Sequence, residues 1–356
     1  MMKRWILTPL LVLTCGAFAL PAKAVMIGQV SDENLALSNT TLNSDLYNLV
    51  GTSLINLHTN VDANANIFKI GNSFYFTNTH GLQTTSVGSS TKKTLKSGTT
   101  LDVIGKKGTW LFISNSASKS SSYLYDTAKK SVTKLNLAIN SAVNVSFTTD
   151  GKRMLVLGKN SAGKLKLFIS TTNLQTLKEV ALPTGAKTCT FAALSPDGKQ
   201  LFASCDFAAA SSSTAINGFT VSAVNGSTVS GLRKTINKKS VSNGQWISNT
   251  KLATIDTGAD GAITLAIRDI SLTKVTKTTI VFNYSYVLTD TNITVTAPTE
   301  VLADVGSNDV YFVVHTVSEG TVNTFTGKVM KYNLTTKKKT TQLDDAMFIF
   351  MTESNL

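Results

Sequence analysis

The side chains able to do acid–base, nucleophilic or metal chemistry are few and far apart. Histidine occurs three times, at His58, His80 and His315. No H-x-x-x-H, C-x-x-C or G-x-S-x-G spacing joins a histidine, a thiol or a serine into a metal centre or a nucleophile–base pair. Glutamate occurs five times, and beyond the first few residues arginine is confined to Arg153, Arg233 and Arg268. The stretch "DTGADG" from Asp256 has the look of a calcium loop. It lacks both the alternating oxygen ligands and the distal Glu that such a loop needs, and it reads better as a hairpin turn. Lysine is different: Lys and Arg total 34 against 21 acids, a formal charge of +13. A surface of one sign recruits polyanions and speeds their encounter. Ionic recognition, rather than bond-making, is the chemistry this composition favours, with no cofactor and no metal expected.

The elements that must position those lysines begin after a leader. Lys3 and Arg4 precede an apolar run of 16 residues from Trp5 to Leu20, and "PAKA" ends in the small-x-small pattern of Ala22-Lys23-Ala24. Residues 1–24 therefore read as a signal peptide cleaved after Ala24, and the protein as periplasmic or secreted. No later stretch is long and apolar enough for a transmembrane helix. The remainder carries a formal +10. Its short Val, Ile, Phe, Tyr and Leu runs are separated by Gly, Asn, Asp and Ser, which is an all-β signature.

Two cysteines follow the leader, Cys189 and Cys205. Between them, "SPDG" suits a tight turn with glycine at positive φ. Pairing Ser195 with Lys199 across that turn makes paired positions sum to 394, a register that also sets Cys189 opposite Cys205. A disulfide is expected there in an oxidising compartment.

The same strand–turn–strand unit recurs. "FKIGNSFYFTN", "VIGKKGTWLFISN", "NVSFTTDGKRMLVLG" and "FAALSPDGKQLFASC" align on Gly71, Gly108, Gly151 and Gly198. Weaker echoes start at Trp246 and Val305. A second hairpin follows each, such as "YLYDTAKKSVTKL" and "KVMKYNLTTKKKTTQL". Two hairpins per repeat, at a period of about 45 residues, are propeller blades. One such sheet has two apolar faces and cannot bury both alone; radial stacking buries them against neighbours. Six units fill Asn66 to Leu343. Residues 25–60 and 344–356 hold enough strand for one more. The expectation is a single propeller domain over 25–356, with seven four-stranded blades and a closing blade shared by the two termini. The alternative is six blades plus an N-terminal strap.

The "SPDGKQLFAS" unit, its echo "TTDGKRMLVL" and the "LYDTAKKSVTKL" unit resemble the WD-repeat-like blades of TolB-type periplasmic propellers. No Trp-Asp dipeptide closes a blade, and nothing in residues 25–66 reads as an α/β domain. The resemblance implies fold and compartment, and carries no partner with it.

In a propeller the first-to-second and third-to-fourth turns share one face. Lys106, Lys107, Lys152 and Lys199 belong to the former; Lys92, Lys93, Lys129, Lys130, Lys337, Lys338 and Lys339 belong to the latter. One face should be basic and meet an anionic envelope polymer or an acidic protein, unless the lysines only solubilise the disc and guard its edges. Scarce arginine and the lack of aromatic–basic interleaving argue against nucleic acid. Residues 282–300 form the longest join between blades, so Tyr284 and Tyr286 are candidate contacts in a partner loop; they could instead extend the outer strand of blade 5. The first reading is a non-enzymatic binding or scaffold propeller. The competing one is an enzyme centred on the channel, lactonase-like or dehydrogenase-like, towards which Asp102 and Asp304 could point from inner strands.

Overall fold

A computed structural model describes residues 25–353 except 31–41, 51–52, 64–65, 117–120, 171–172, 183–184, 209–214, 227, 237, 272–273, 290–291, 304, 320–323 and 347–348. The leader and Asp304 thus lie outside the described residues. Every regular element among them is a β-strand, and the strands form seven antiparallel sheets.

Six sheets follow one another along the chain. Blade 1 begins at Phe68–Ile70, blade 2 at Leu101–Lys107, blade 3 at Ser141–Phe147, blade 4 at Ala186–Leu194, blade 5 at Lys239–Ser248 and blade 6 at Ile293–Ala303. The seventh joins the termini: Ile349–Glu353 pairs antiparallel with Val25–Val30, which continues into Leu42–Val50 and Ser53–Ala63. The ring is therefore a seven-bladed β-propeller closed by backbone pairing of its two ends. The last strand of blade 6 runs to Ala346, so the C-terminal share of the closing blade is shorter than expected. From blade 2 to blade 6, first strands of successive blades lie side by side.

The packing explains why the second strands read as unbroken apolar runs. In "MLVLG" of blade 3, Met154 and Val156 face blade 2 and join Phe112, Leu124 and Leu135. The alternate residues Leu155 and Leu157 face blade 4 and join Leu201, Ala203 and Cys205. A strand covered on both faces needs apolar side chains at every position. The same two-sided burial recurs at the other junctions: Tyr75 and Leu82 meet Leu111 and Ile113, Phe202 and Phe219 meet Trp246 and Leu252, Ile255 and Leu265 meet Phe312 and Val314, and Leu46 meets Phe74 and Phe76. Fully burying each such side chain stabilises the fold by about 1.5–3 kcal/mol. Among the described residues, six of the seven junctions thus hold a cluster of their own, and these blades are buried against their neighbours.

The four aligned glycines all adopt the expected left-handed backbone, at φ 57° for Gly71, 55° for Gly108, 67° for Gly151 and 70° for Gly198. The register after Gly198 differs from expectation. Ser195 pairs with Gln200, not Lys199, through Ser195 N–H donating to the Gln200 carbonyl at 2.8 Å. That shift alone would misalign the cysteines, but a β-bulge between Cys189 and Phe191 absorbs one residue and restores Cys189 opposite Cys205. Their sulfurs are 2.04 Å apart, with Cα atoms at 3.9 Å. Equivalent bulges interrupt the first strands of blades 2, 3, 5 and 6.

The join of residues 282–300 is not a loop. Ser285–Leu288 is a fifth strand in blade 6, paired antiparallel with the start of Ile293–Ala303, so Tyr286 extends neither an open loop nor blade 5. Tyr284 still bonds back to blade 5, its N–H donating to the Ile263 carbonyl at 2.8 Å. "YVL" pairs across a four-residue turn with "ITV", and this local hairpin outcompetes the neighbouring blade.

Candidate binding face

The turn face is built by short side chains that organise the backbone of their own turns. In blade 3, the Thr148 hydroxyl donates to Asp150 Oδ1 at 2.6 Å, and Lys152 N–H donates to the same oxygen at 3.0 Å. Blade 4 repeats the device: Ser195 donates to Asp197 Oδ1 at 2.7 Å and Lys199 N–H at 3.1 Å. The Thr148 hydroxyl, followed by the Lys152 amide, holds the Asp150 carboxyl below its ordinary range. In the third-to-fourth turns, Asp126 Oδ1 accepts from Ala128 and Lys129 N–H, and Asn333 Oδ1 accepts from Thr335 and Thr336 N–H.

Adjacent turns are stitched together. Thr149 N–H donates to the Pro196 carbonyl at 2.9 Å, and Asp197 N–H to Asn249 Oδ1 at 3.0 Å. The Arg153 guanidinium spans two turns of blade 4, donating to the Gly198 carbonyl at 2.8 Å and to that of Gly226. These bonds fix the positions of the turns relative to one another.

Onto this frame the structure places the lysines. Lys92, Lys93, Lys129, Lys130, Lys152, Lys199, Lys337, Lys338 and Lys339 are all exposed on these turns. Two of the expected residues are less exposed. Lys106 is half-buried and its Nζ donates to the Lys69 carbonyl at 3.0 Å, which ties blade 2 to blade 1. Lys107 is also half-buried, and its stem packs where Gly151 leaves room. Lys339 reaches over the Phe282 ring, 5.6 Å from its centroid. Several acids at this end are already engaged: Asp150 and Asp197 by their turns, Asp269 by Lys251, and Asp309 by Lys331 at 3.6 Å and by Asn333.

Lys130 and Lys337 hold left-handed backbones, with φ of 53° and 59°. A side chain with a Cβ pays for that conformation, and glycine or asparagine would be cheaper there. Sequence reasoning placed both residues on turns but missed the strain; the "AKKS" and "TKKK" runs, lacking a glycine where the first-to-second turns have one, were the available signal.

Asp102 is half-buried on the first strand of blade 2, and its desolvation raises the carboxyl pKa. Among the described residues no group of three or more His, Cys, Asp or Glu side chains could hold a metal. His315 is paired through Nδ1 with the Thr299 hydroxyl at 3.0 Å, and burial pulls its pKa down to about 4. "DTGADG" is indeed the turn between the second and third strands of blade 5. Asp256, however, belongs to the interior. Its carboxylate accepts from Arg268 and from the Thr254 hydroxyl, and the Arg268 guanidinium lies 4.3 Å from the Phe219 ring of blade 4. No helix among the described residues is long and apolar enough to cross a membrane.

This fold defines a class, the seven-bladed propeller with a non-covalent closure, and comparison with known proteins agrees at the level of fold. No protein-family model and no curated relative matches the sequence. Among solved structures, a puromycin-hydrolyzing peptidase of Mycobacterium tuberculosis superposes with a TM-score of 0.53 at 11% identity, over 89% of this chain and 52% of that one. The chain thus spans about half of that protein's length. A protein described as a 6-phosphogluconolactonase of Bacteroides uniformis gives a TM-score of 0.51 at 11% identity, covering 93% of this chain and all of that one. TolB of Acinetobacter baumannii resembles the chain more loosely, with a TM-score of 0.43 and 15% identity over 91% of this chain and 82% of that one.

Proposed function

We propose that this is an exported, non-enzymatic binding propeller whose turn face holds an anionic polymer of the cell envelope. The observation that carries the reading is the set of nine exposed lysines on a braced face, several of whose acids are already hydrogen-bonded or ion-paired. Export is supported by the basic and apolar leader of residues 1–24 and by the Cys189–Cys205 pair, since such bonds persist in oxidising compartments. The mechanism is electrostatic. The braced turns lose little backbone freedom when their lysines meet a polymer, and the attraction of unlike charge steers the encounter.

Reversing Lys337, Lys338 and Lys339 to Glu tests it on lipopolysaccharide and anionic wall polymer. At roughly 1 kcal/mol per lysine near an anionic surface, losing the attraction alone weakens binding about a hundredfold. The salt dependence of the remainder should flatten as well. Unchanged retention on both polymers would remove the reading, and retention confined to an acidic protein would redirect it.

A further inference from the structure

The lysines of the turn face are not spread evenly around the ring. In each blade the turn between third and fourth strands, taken with the first residue of the fourth strand, lies towards the outer rim. Three of these turns hold seven exposed lysines: Lys92 and Lys93 in blade 1, Lys129 and Lys130 in blade 2, and Lys337 to Lys339 in blade 6. The matching residues of blades 3, 4 and 7, at 171–177, 226–228 and 51–53, include no charged residue, and blade 5 has Lys274 alone. A solubilising role gives no reason for that asymmetry.

Ring closure joins the crowded rims. Blades 1 and 6 are far apart in sequence, but each flanks the closing blade, so blades 6, 7, 1 and 2 are consecutive around the ring. Asp126, the acid that opens the blade 2 turn, is 4% exposed and accepts from Ala128 and Lys129 N–H. Glu353 ends the innermost strand of the closing blade and so lies inward of that rim. Lys152 and Lys199 stand differently. Each shares its turn with an exposed acid two residues earlier, Asp150 or Asp197, whose carboxylate accepts from the lysine's own N–H. Beyond a Debye length, about 8 Å in physiological salt, such a turn is nearly neutral. With strands about 4.8 Å apart and facing sheets about 10 Å apart, neighbouring rim turns are on the order of 14 Å apart. The arc from blade 6 to blade 2 is then on the order of 40 Å long.

We propose that the bound polymer is linear and lies along this arc, crossing the uncharged rim of the closing blade, rather than covering the whole face. The inference rests on the binding reading above and narrows it to a chain long enough to touch three blades at once. Each lysine turn holds a short stretch of the chain. Because the blades are stacked rigidly, contact at one rim keeps the same chain near the next, and affinity rises through effective concentration. A single phosphate or headgroup reaches one turn only. A flat anionic membrane would also meet Asp150 and Asp197, which it repels.

Equilibrium binding of triphosphate and of long-chain inorganic polyphosphate to the mature protein tests this. The long chain should bind at least about a hundredfold more tightly. The double variants Lys92→Glu, Lys93→Glu and Lys129→Glu, Lys130→Glu should each weaken long-chain binding by about thirtyfold. Lys152→Glu, Lys199→Glu makes the same change in net charge and should weaken it by no more than about threefold. In the wild type, bound polymer should protect Lys92, Lys129 and Lys337 from acylation while Lys152 and Lys199 stay reactive, a readout that needs no variant to fold. Equal losses in all three doubles, or equal protection of Lys152 and Lys199, overturn the arc and leave the basic-face reading standing. Anionic vesicles held as tightly as the long chain overturn it in favour of a membrane surface. No binding of any polyanion overturns both readings.

Discussion

The buried ion pair of blade 5 is the sharpest test of the packing. Arg268 is 1% exposed and Asp256 is fully buried. Arg268 sits opposite Leu252 and runs along the strand past Thr254, donating to both the Thr254 hydroxyl and the Asp256 carboxylate. Replacing it with Met keeps most of the volume but leaves a carboxylate with one hydroxyl donor in an apolar junction. Breaking a buried pair in this way costs about 3–5 kcal/mol. Loss of the contact with Phe219 adds about 1 kcal/mol. For a domain of this size about 2 °C of melting temperature accompanies each kcal/mol, so Arg268→Met should melt roughly 8–12 °C lower. The double variant Arg268→Met, Asp256→Asn removes the stranded charge and should recover most of that loss, because an ion pair replaced as a whole is often nearly neutral. Scanning calorimetry of wild type, both singles and the double gives the coupling. A single variant within about 1 kcal/mol of wild type, or a double variant no better than Arg268→Met, would refute the reasoning.

His315 is neutral in the fold and binds a proton only near pH 4, whereas the unfolded chain binds it near the ordinary 6.5. The stability it permits is present above pH 6.5 and lost as pH falls towards 4; His315→Gln should flatten melting temperature across that window, and an unchanged slope would refute the assignment. The Cys189–Cys205 bond closes a separation of 16 residues, so changing both to Ala should cost about 3 kcal/mol in urea unfolding. Both cysteines are buried, so mild reductant should leave the disulfide intact until the protein unfolds. Lys130→Gly and Lys337→Gly relieve a left-handed lysine each. Each should raise stability by about 0.5–1 kcal/mol while weakening polymer retention, and a gain in stability with no loss of retention would mark those lysines as mere solubilisers.

Much of the architecture was readable because each blade must satisfy the same local physics. Gly71, Gly108, Gly151 and Gly198 sit where the turn demands positive φ, and the doubly covered second strands must be apolar throughout. Their spacing therefore reveals the period, and the leftover segments reveal the closing blade. What escaped was set by contacts between blades or by single-residue shifts. The bulge at Thr190 has no signature in "KTCTFAAL", so the cysteine pairing came out right while the turn register was off by one. The fifth strand of blade 6 competes with two neighbours, and sequence cannot weigh a hairpin to Ile293 against an extension of blade 5. Asp256 was read with its turn because the eye follows "DTGADG". An arginine within the largely apolar run "TLAIRDIS" was the clue that Arg268 needed a buried partner, and the neighbouring strand supplies it.

The division of labour around the ring follows from its packing. Each blade interior is committed to its neighbours, so a substitution there reads first as stability, as Arg268 does. Freedom to vary remains at the two ends, and this chain uses them in opposite ways. The first-to-second and third-to-fourth turns carry lysine on a frame braced by Asp150, Asp197, Asn333 and Arg153. The other end carries an uncharged strand edge. Salt therefore acts first on the lysine end: it screens lysine from a polyanion and weakens that contact, while the ion pair buried between blades 4 and 5 is screened much less.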